Sequence, residues 1–298
     1  MRIAVVTTSW PRFEGDPSGH FVAAEVRALT QRGVDTEVVV IAAAGDAFGF
    51  PGLAARVKES PLRLVGAARW VARARRQVAE GGFDEVVAHW ALPCAWPIAM
   101  TATTARKDQP RLEVVSHGGD VRLLARMPGP VRARLVTAIA TRAHTWRFVS
   151  LHLLESLLAP LPRDAARALE RVARVAPCAI ELTPPSADAI AAKRAQIGAP
   201  FAVCVARLVS SKRIDAAIAW ADARRRPLVI VGDGPERASL ERAARASQAR
   251  VHFAGRTTRP EALAWIASSA ELVQPSRAEG LSTVVREAEL LGVPVVAI

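Results

Sequence analysis

The chain has 298 residues, with 40 Lys and Arg against 28 Asp and Glu, a formal charge of +12, and 51% hydrophobic residues. That length exceeds one ordinary core and predicts two domains of similar size, while the lack of any run of about 18 uncharged apolar residues excludes a membrane span. Cys94, Cys178 and Cys204 are isolated and odd in number, which argues against a disulfide framework or a cysteine metal site and for small apolar packing in a reducing cytoplasm.

The start, Met1-Arg2-Ile3-Ala4-Val5-Val6-Thr7-Thr8, turns polar too soon for a signal peptide and reads as a first strand. Further strands are expected near residues 36–41, 84–88, 111–116, 145–149 and 171–176, separated by helical stretches near 19–32, 62–80, 92–105 and 129–141. After the Pro-rich link Thr183-Pro184-Pro185-Ser186-Ala187 the pattern repeats, with strands near 201–205, 227–231, 250–254, 270–274 and 293–297. The expected domains are therefore 1–183 and 184–298. Strand-helix alternation with near-continuous apolar strands predicts an α/β fold with parallel sheets covered on both faces. Such open sheets bind ligands at the carboxyl ends of their strands.

Several residues fall at those ends. Gly19 and His20, after Asp16-Pro17-Ser18, belong to a glycine-bearing loop that lets a ligand approach the backbone, although Pro-Ser-Gly is also an ordinary turn. His89 and Trp90 close the third strand, either lining a pocket or packing beneath the loops. His117 follows the apolar stretch Leu112–Ser116 and precedes Gly118-Gly119, so it stands at a strand end with little steric obstruction. Asp120 either orients this loop or caps the next helix.

In the second half, Arg207 sits just past a strand and Lys212 in the loop that follows, so one strand end delivers two cations. They suit a diphosphate, and a solvated surface pair is the other reading. Gly232 and Gly234, in Val231-Gly232-Asp233-Gly234-Pro235-Glu236, form a turn that lets backbone approach a ligand. Near the C-terminus, Pro275-Ser276-Arg277-Ala278-Glu279-Gly280-Leu281-Ser282 leads into a short helix expected over 283–291, with Ser282 as N-cap and Gly292 with Pro294 as the stop. On that helix Val284, Ala288 and Leu291 share a face, and Glu287 falls on its apolar flank, where an unpaired carboxylate is costly. Glu287 therefore needs a partner, and none is evident nearby in sequence. A vicinal diol would serve, since a carboxylate accepts two hydrogen bonds; a distant Arg would serve as well. Glu279 and Gly280 lie beside the unpaired N–H groups of the first helical turn, where an anion such as pyrophosphate is favoured.

The spacing Glu-x7-Glu, within Pro-Ser-x-x-Glu-Gly…Glu-Ala…Gly-x-Pro-Val-Val-Ala, resembles the retaining glycosyltransferases of family 4. Arg207-Leu208-Val209-Ser210-Ser211-Lys212, the Gly-Asp-Gly-Pro turn, Phe253-Ala254-Gly255-Arg256, Trp10-Pro11, His89-Trp90 and His117-Gly118-Gly119-Asp120 extend the likeness over nearly the whole chain in the family's order. The resemblance implies the GT-B fold of two facing Rossmann-like domains, the first on the acceptor side and the second binding a UDP-sugar or GDP-sugar in the cleft. It implies that Glu287 and the Gly280-Leu281-Ser282 stretch hold the nucleoside part, that Gly255 and Arg256 flank the base, and that Arg207 and Lys212 hold the diphosphate. Glu279 is then expected at the donor sugar or phosphate and His117 at the reacting face of the sugar, with His20, His89, Trp90 and Asp120 towards the acceptor. The family normally continues beyond the strand in which Ile298 ends, so the second domain is expected to be C-terminally shortened, with an exposed strand edge.

No Asp-x-Asp pair is present, and two fixed cations at a helix start make a metal unnecessary, so neither metal nor cofactor is expected. The charge divides as +7 before residue 184 (24 basic, 17 acidic) and +5 from it onward (16 basic, 11 acidic), so no single domain is a nucleic-acid arm. Two basic stretches, Arg69–Arg76 and Arg122–Arg134, suit either an anionic membrane surface near a lipid-linked acceptor or plain solvation. The expected activity is metal-independent retaining transfer of a sugar to a glycan or lipid-linked acceptor in polysaccharide biosynthesis, in the cytoplasm or at the inner face of the membrane. The alternatives are a basic nucleic-acid-binding protein, for which aromatic-basic interleaving is missing, and a GT-B nucleotide-sugar epimerase or inactive donor-binding relative.

Overall fold

The computed structural model describes residues 1–33, 35–43, 48, 56, 57, 59–100, 109–276 and 281–298. It divides into two compact units, one of Met1–Arg12 with Ser18–Ala179, the other of Phe13–Pro17 with Ile180–Ile298. The division after Ala179 falls just before the expected link, and Phe13–Pro17 departs from its neighbours in sequence. That stretch packs with the second unit because the Arg259 N–H donates to the Gly15 carbonyl at 2.7 Å and the buried Asp16 carboxylate lies 3.7 Å from the Arg256 guanidinium.

In the first unit, strands β1 (Arg2–Thr7), β2 (Glu37–Ala42), β3 (Glu85–His89), β4 (Arg111–Ser116), β5 (Thr145–Phe148) and β6 (Ala173–Val175) form one sheet in the order β2-β1-β3-β4-β5-β6. Every pairing in it is parallel. Ile3, Ala4, Val5 and Val6 are all fully buried, the consequence of helices covering both faces, so the strand must be apolar without alternation. Trp70, on the helix Arg63–Glu80, packs into that core and donates its indole N–H to the Ala42 carbonyl at 3.1 Å.

In the second unit, β7 (Ala202–Val205), β8 (Leu228–Val231), β9 (Val251–Gly255), β10 (Glu271–Gln274) and β11 (Val295–Ala297) form a second parallel sheet, ordered β11-β10-β7-β8-β9. It separates two apolar layers, one around Ile214, Ile218 and Leu240, the other around Phe201, Trp265 and Ile266. Each sheet therefore has one point where strand order reverses: between β1 and β3 in the first, between β7 and β10 in the second. At such a point the flanking connections leave in opposite directions, and a crevice opens outside the strand ends.

Candidate functional site

At the reversal between β7 and β10, Arg207 and Lys212 follow β7 and the Ser282-capped helix follows β10, while Gly232, Gly234 and Gly255 follow or end the next two strands. Exposed Arg207 follows β7, and half-buried Lys212 closes a short 3-10 turn, Ser210–Lys212. Arg213 next to it takes a left-handed conformation (φ 51°) and donates to the carbonyl of Pro275 beyond β10, at 3.2 Å. A pocket of about 310 Å³ opens against this turn, lined among others by Ser210, Arg213, Glu236 and Ser239. Arg207 and Lys212 do not line it, so the pocket marks space beside the cations rather than the place between them.

The glycine turn has a steric reason. Gly232 (φ 136°) donates its N–H to the Gly255 carbonyl at 2.8 Å, and a Cβ at Gly232 would run into the carbonyl oxygen of Ala206. A Cβ at Gly234 would meet the carbonyl oxygen of Leu208. The backbone laces the two loops together, Leu208 N–H donating to Asp233 O at 2.9 Å and Glu236 N–H to Leu208 O at 3.0 Å. These glycines therefore set the path of the loop that carries Arg207. Gly255 (φ 72°) ends β9, and exposed Arg256 leans towards Asp16.

The helix Thr283–Leu290 starts at Ser282, whose hydroxyl accepts from the Val285 N–H, and ends before Gly292 at φ 70°. Glu287 is buried on it and has a protein partner: Arg259 donates to its Oε1 through Nε at 3.0 Å and Nη2 at 2.9 Å. Arg259 also donates to the Glu181 carbonyl. Of the two partners weighed for Glu287, the distant Arg is present: it stands 28 positions earlier, at the start of the helix Arg259–Ser268. Thr258 and Glu261 form a capping box there, a signal that fixes where Arg259 sits but not what it reaches. Leu281 is partly exposed, while Glu279 and Gly280 lie outside the described residues.

The reversal between β1 and β3 gathers the first-unit candidates. Gly19 (φ 71°) caps the helix His20–Thr30, and a Cβ on it would come within 2.5 Å of the Ser9 carbonyl oxygen. His89 ends β3, fully buried, and its Nδ1 lies 2.9 Å from Nε2 of His117, the rings stacked at 15°. His117 also meets Phe21 and Trp90, with ring centroids 4.9 Å away in each case. Trp90 carries a positive φ of 74°, costly for an aromatic residue, and is held by its own N–H donating to Val115 O at 2.7 Å.

Asp120 clamps this region from inside. Its Oδ2 accepts from the Ala91 N–H at 2.8 Å and the Ser116 hydroxyl at 2.7 Å, and its Oδ1 from the Gly118 N–H at 3.2 Å. Burial raises its pKa, against the pull of those hydrogen bonds. Asp120 is therefore an internal tie rather than a group on a pocket wall, and His89 is an internal support.

Behind the histidines lies a charged network that the sequence did not reveal. Arg147, on β5, donates to both carboxylate oxygens of Glu25 at 2.6 and 3.0 Å and to Glu113 Oε1 at 2.8 Å. Burial works against the charge on Arg147, but Glu25 and then Glu113 outweigh it and raise its pKa. Burial, then the Arg147 charge, pushes His89 down to about 3. Burial, His89 and Arg147 hold His117 well below the usual imidazole range, so both rings are neutral near pH 7. Among the described residues no group of three His, Cys, Asp or Glu side chains is placed to hold a metal, and no helix is long and apolar enough to cross a membrane.

Residues 199–298 match the family model described as "Glycosyl transferases group 1". The match lies within the second unit and covers about a third of the chain. Solved structures agree on the fold over the whole chain. The structure of Anabaena Alr3699/HepE in complex with UDP matches at TM-score 0.71 and 18% identity, covering 100% of this chain and 80% of that one. The catalytic domain of starch synthase IV from Arabidopsis thaliana, bound to ADP and acarbose, matches at 0.70 and 15%, with 100% and 82% covered. Sucrose-phosphate synthase from Thermosynechococcus elongatus matches at 0.63 and 19%, with 100% and 81% covered. No curated protein matches significantly. The chain therefore has the GT-B fold expected from its sequence.

Proposed function

We propose that the second unit is the glycosyltransferase domain of a family 4, retaining, metal-independent enzyme that moves a sugar from a UDP-sugar or GDP-sugar to a glycan or lipid-linked acceptor. The observation that supports the reading is the order of the second sheet: Arg207 and Lys212 follow β7 and the Ser282-capped helix follows β10, the two strands at which strand order reverses, inside the segment that matches the glycosyltransferase family. Negative charge grows on the departing diphosphate as the glycosidic bond breaks. Fixed cations and unpaired helix N–H groups stabilise that charge more in the transition state than in the ground state. Glu287, set in place by Arg259, accepts the ribose diol; Glu279 serves the donor sugar or phosphate, and His117 the transferred sugar. The UDP and ADP complexes among the structural neighbours support a nucleoside diphosphate as the leaving group.

Among the described residues of the first unit no carboxylate stands out as a general base, which favours retention. Glu25 lies 3.5 Å from His89, and both of its oxygens are committed to Arg147. The departing phosphate then takes up the acceptor proton. A cytoplasmic location at the inner membrane face, serving polysaccharide biosynthesis, fits exposed Arg122, Arg126 and Arg134 beside exposed Leu123 and Val131.

NMR of the sugar released from UDP-glucose and GDP-mannose, with water as slow acceptor and with chelator present, tests the reaction class. The expected product keeps the donor's α configuration when first formed. An initial β product contradicts retention, and release only with added magnesium contradicts metal independence.

A further inference from the structure

The buried network in the first unit has more order than a core needs. His117 Nε2 and His89 Nδ1 share one hydrogen bond at 2.9 Å, so of two neutral rings one donates there and the other accepts. Two arrangements satisfy that bond. In one, both rings carry their proton on Nε2; in the other, both carry it on Nδ1. The far side of His89 decides between them. His89 Nε2 makes no hydrogen bond but lies 3.5 Å from Glu25 Oε2, an electrostatic contact, and Glu25 is held in place by two hydrogen bonds from Arg147. A lone pair facing a carboxylate oxygen in a buried site is repulsive, whereas an N–H facing it is attractive. Arg147 is itself fixed from its other edge by Glu113.

We infer that Arg147, Glu25 and His89 form a tautomer lock that holds His117 as its Nε2–H form, leaving Nδ1 of His117 a hydrogen-bond acceptor. Its only neighbour among the hydrogen bonds described is the Cys178 sulfur at 3.9 Å, a weak thiol contact that a hydroxyl would displace. His117 Nδ1 then accepts a hydrogen bond from a ligand hydroxyl and donates none to it. Glu25, His89 and Arg147 are positioning residues that act through it. That the hydroxyl belongs to the transferred sugar rests on the function proposed above; the lock itself does not.

The test is nitrogen-15 NMR of the full chain labelled at histidine, which reads the protonated ring nitrogen directly. The expected result at pH 7.5 is the Nε2–H form for both His89 and His117. Glu25→Gln should reverse both. Its carbonyl oxygen keeps the shorter Arg147 bond, its amide NH2 turns to His89 Nε2, and the two imidazole protons move to Nδ1. A merely structural role for Glu25 would lower stability without moving those protons. An Nδ1–H form of His117 in the unmodified protein overturns the inference, as does a folded Glu25→Gln protein with unchanged tautomers. If Glu25→Gln does not fold, the unmodified protein decides alone. Adding UDP-glucose to the same sample should shift the His117 Nδ1 resonance; a failure of UDP-glucose to bind counts against the donor reading and leaves the tautomer result standing.

Discussion

Replacing Gly232 with alanine should lower the stability of the second unit by more than about 3 kcal/mol, placing it among the most damaging single changes in the chain. The added Cβ would meet the carbonyl oxygen of Ala206, and the opposing group is backbone, not a side chain that can swing away. Ala206 cannot retreat easily, because its N–H donates to Val231 O at 3.0 Å. The positive φ of 136° adds strain of its own. Gly198 provides the control: its φ is 74°, but nothing lies within 4 Å of its Cβ position, so Gly198→Ala should cost only about 1 kcal/mol. Chemical unfolding followed by the emission of Trp220 and Trp265, both in the second unit, separates the two. Equal losses at Gly232 and Gly198 would show that the loops are not crossed as described.

Acid should weaken the first unit well above the range in which carboxylates titrate. His89 is held down to about 3 in the fold against an ordinary 6.5, so between these values the unfolded chain binds a proton that the folded chain does not. Stability is therefore full above pH 6.5 and falls as pH drops through that window. From pH 7 to pH 5 the loss is about 2 kcal/mol for His89 alone, and His117, also held down, adds to it in the same direction. Asp120 acts oppositely: burial raises its pKa, so the cost of its charge in the fold is relieved as pH falls towards the ordinary carboxylate range, and the measured decline is the histidine effect less that gain. Hydrogen exchange of β3 and β4 peptides at pH 7, 6 and 5 should show protection falling with pH, and His89→Gln should make the decline shallower. Protection unchanged across that range would mean that the histidines are hydrated rather than buried.

Much of this fold was legible because parallel strands covered on both faces must be apolar throughout. Runs such as Ile3–Val6 and Leu228–Val231 announce themselves without any alternation to decode. Ser282 and Gly292 were legible for a local reason, since capping involves only a few consecutive residues. The long-range pairings were not. Glu25 and Arg147 stand 122 positions apart, and each alone is an ordinary charged residue in a helix or strand. Glu287 advertised its need for a partner through its place on an apolar flank, yet Arg259 carried no mark that it would answer. Asp120 is placed by sequence in a loop that it can orient, but its partners are not shown there. It gathers Ala91, Ser116 and Gly118 because β3 and β4 lie side by side, a fact of sheet order rather than of local sequence.

The central claim, that the second unit grips a nucleoside diphosphate with its own cations, is met most directly by calorimetric titration with UDP and with GDP in the presence of a chelator. One of the two should bind saturably at one site per chain without metal, and a folded Glu287→Ala protein should bind it about ten-fold more weakly or worse, the loss expected for hydrogen bonds to a charged group. Absence of saturable binding by either nucleotide, or binding that appears only with magnesium, would contradict the account.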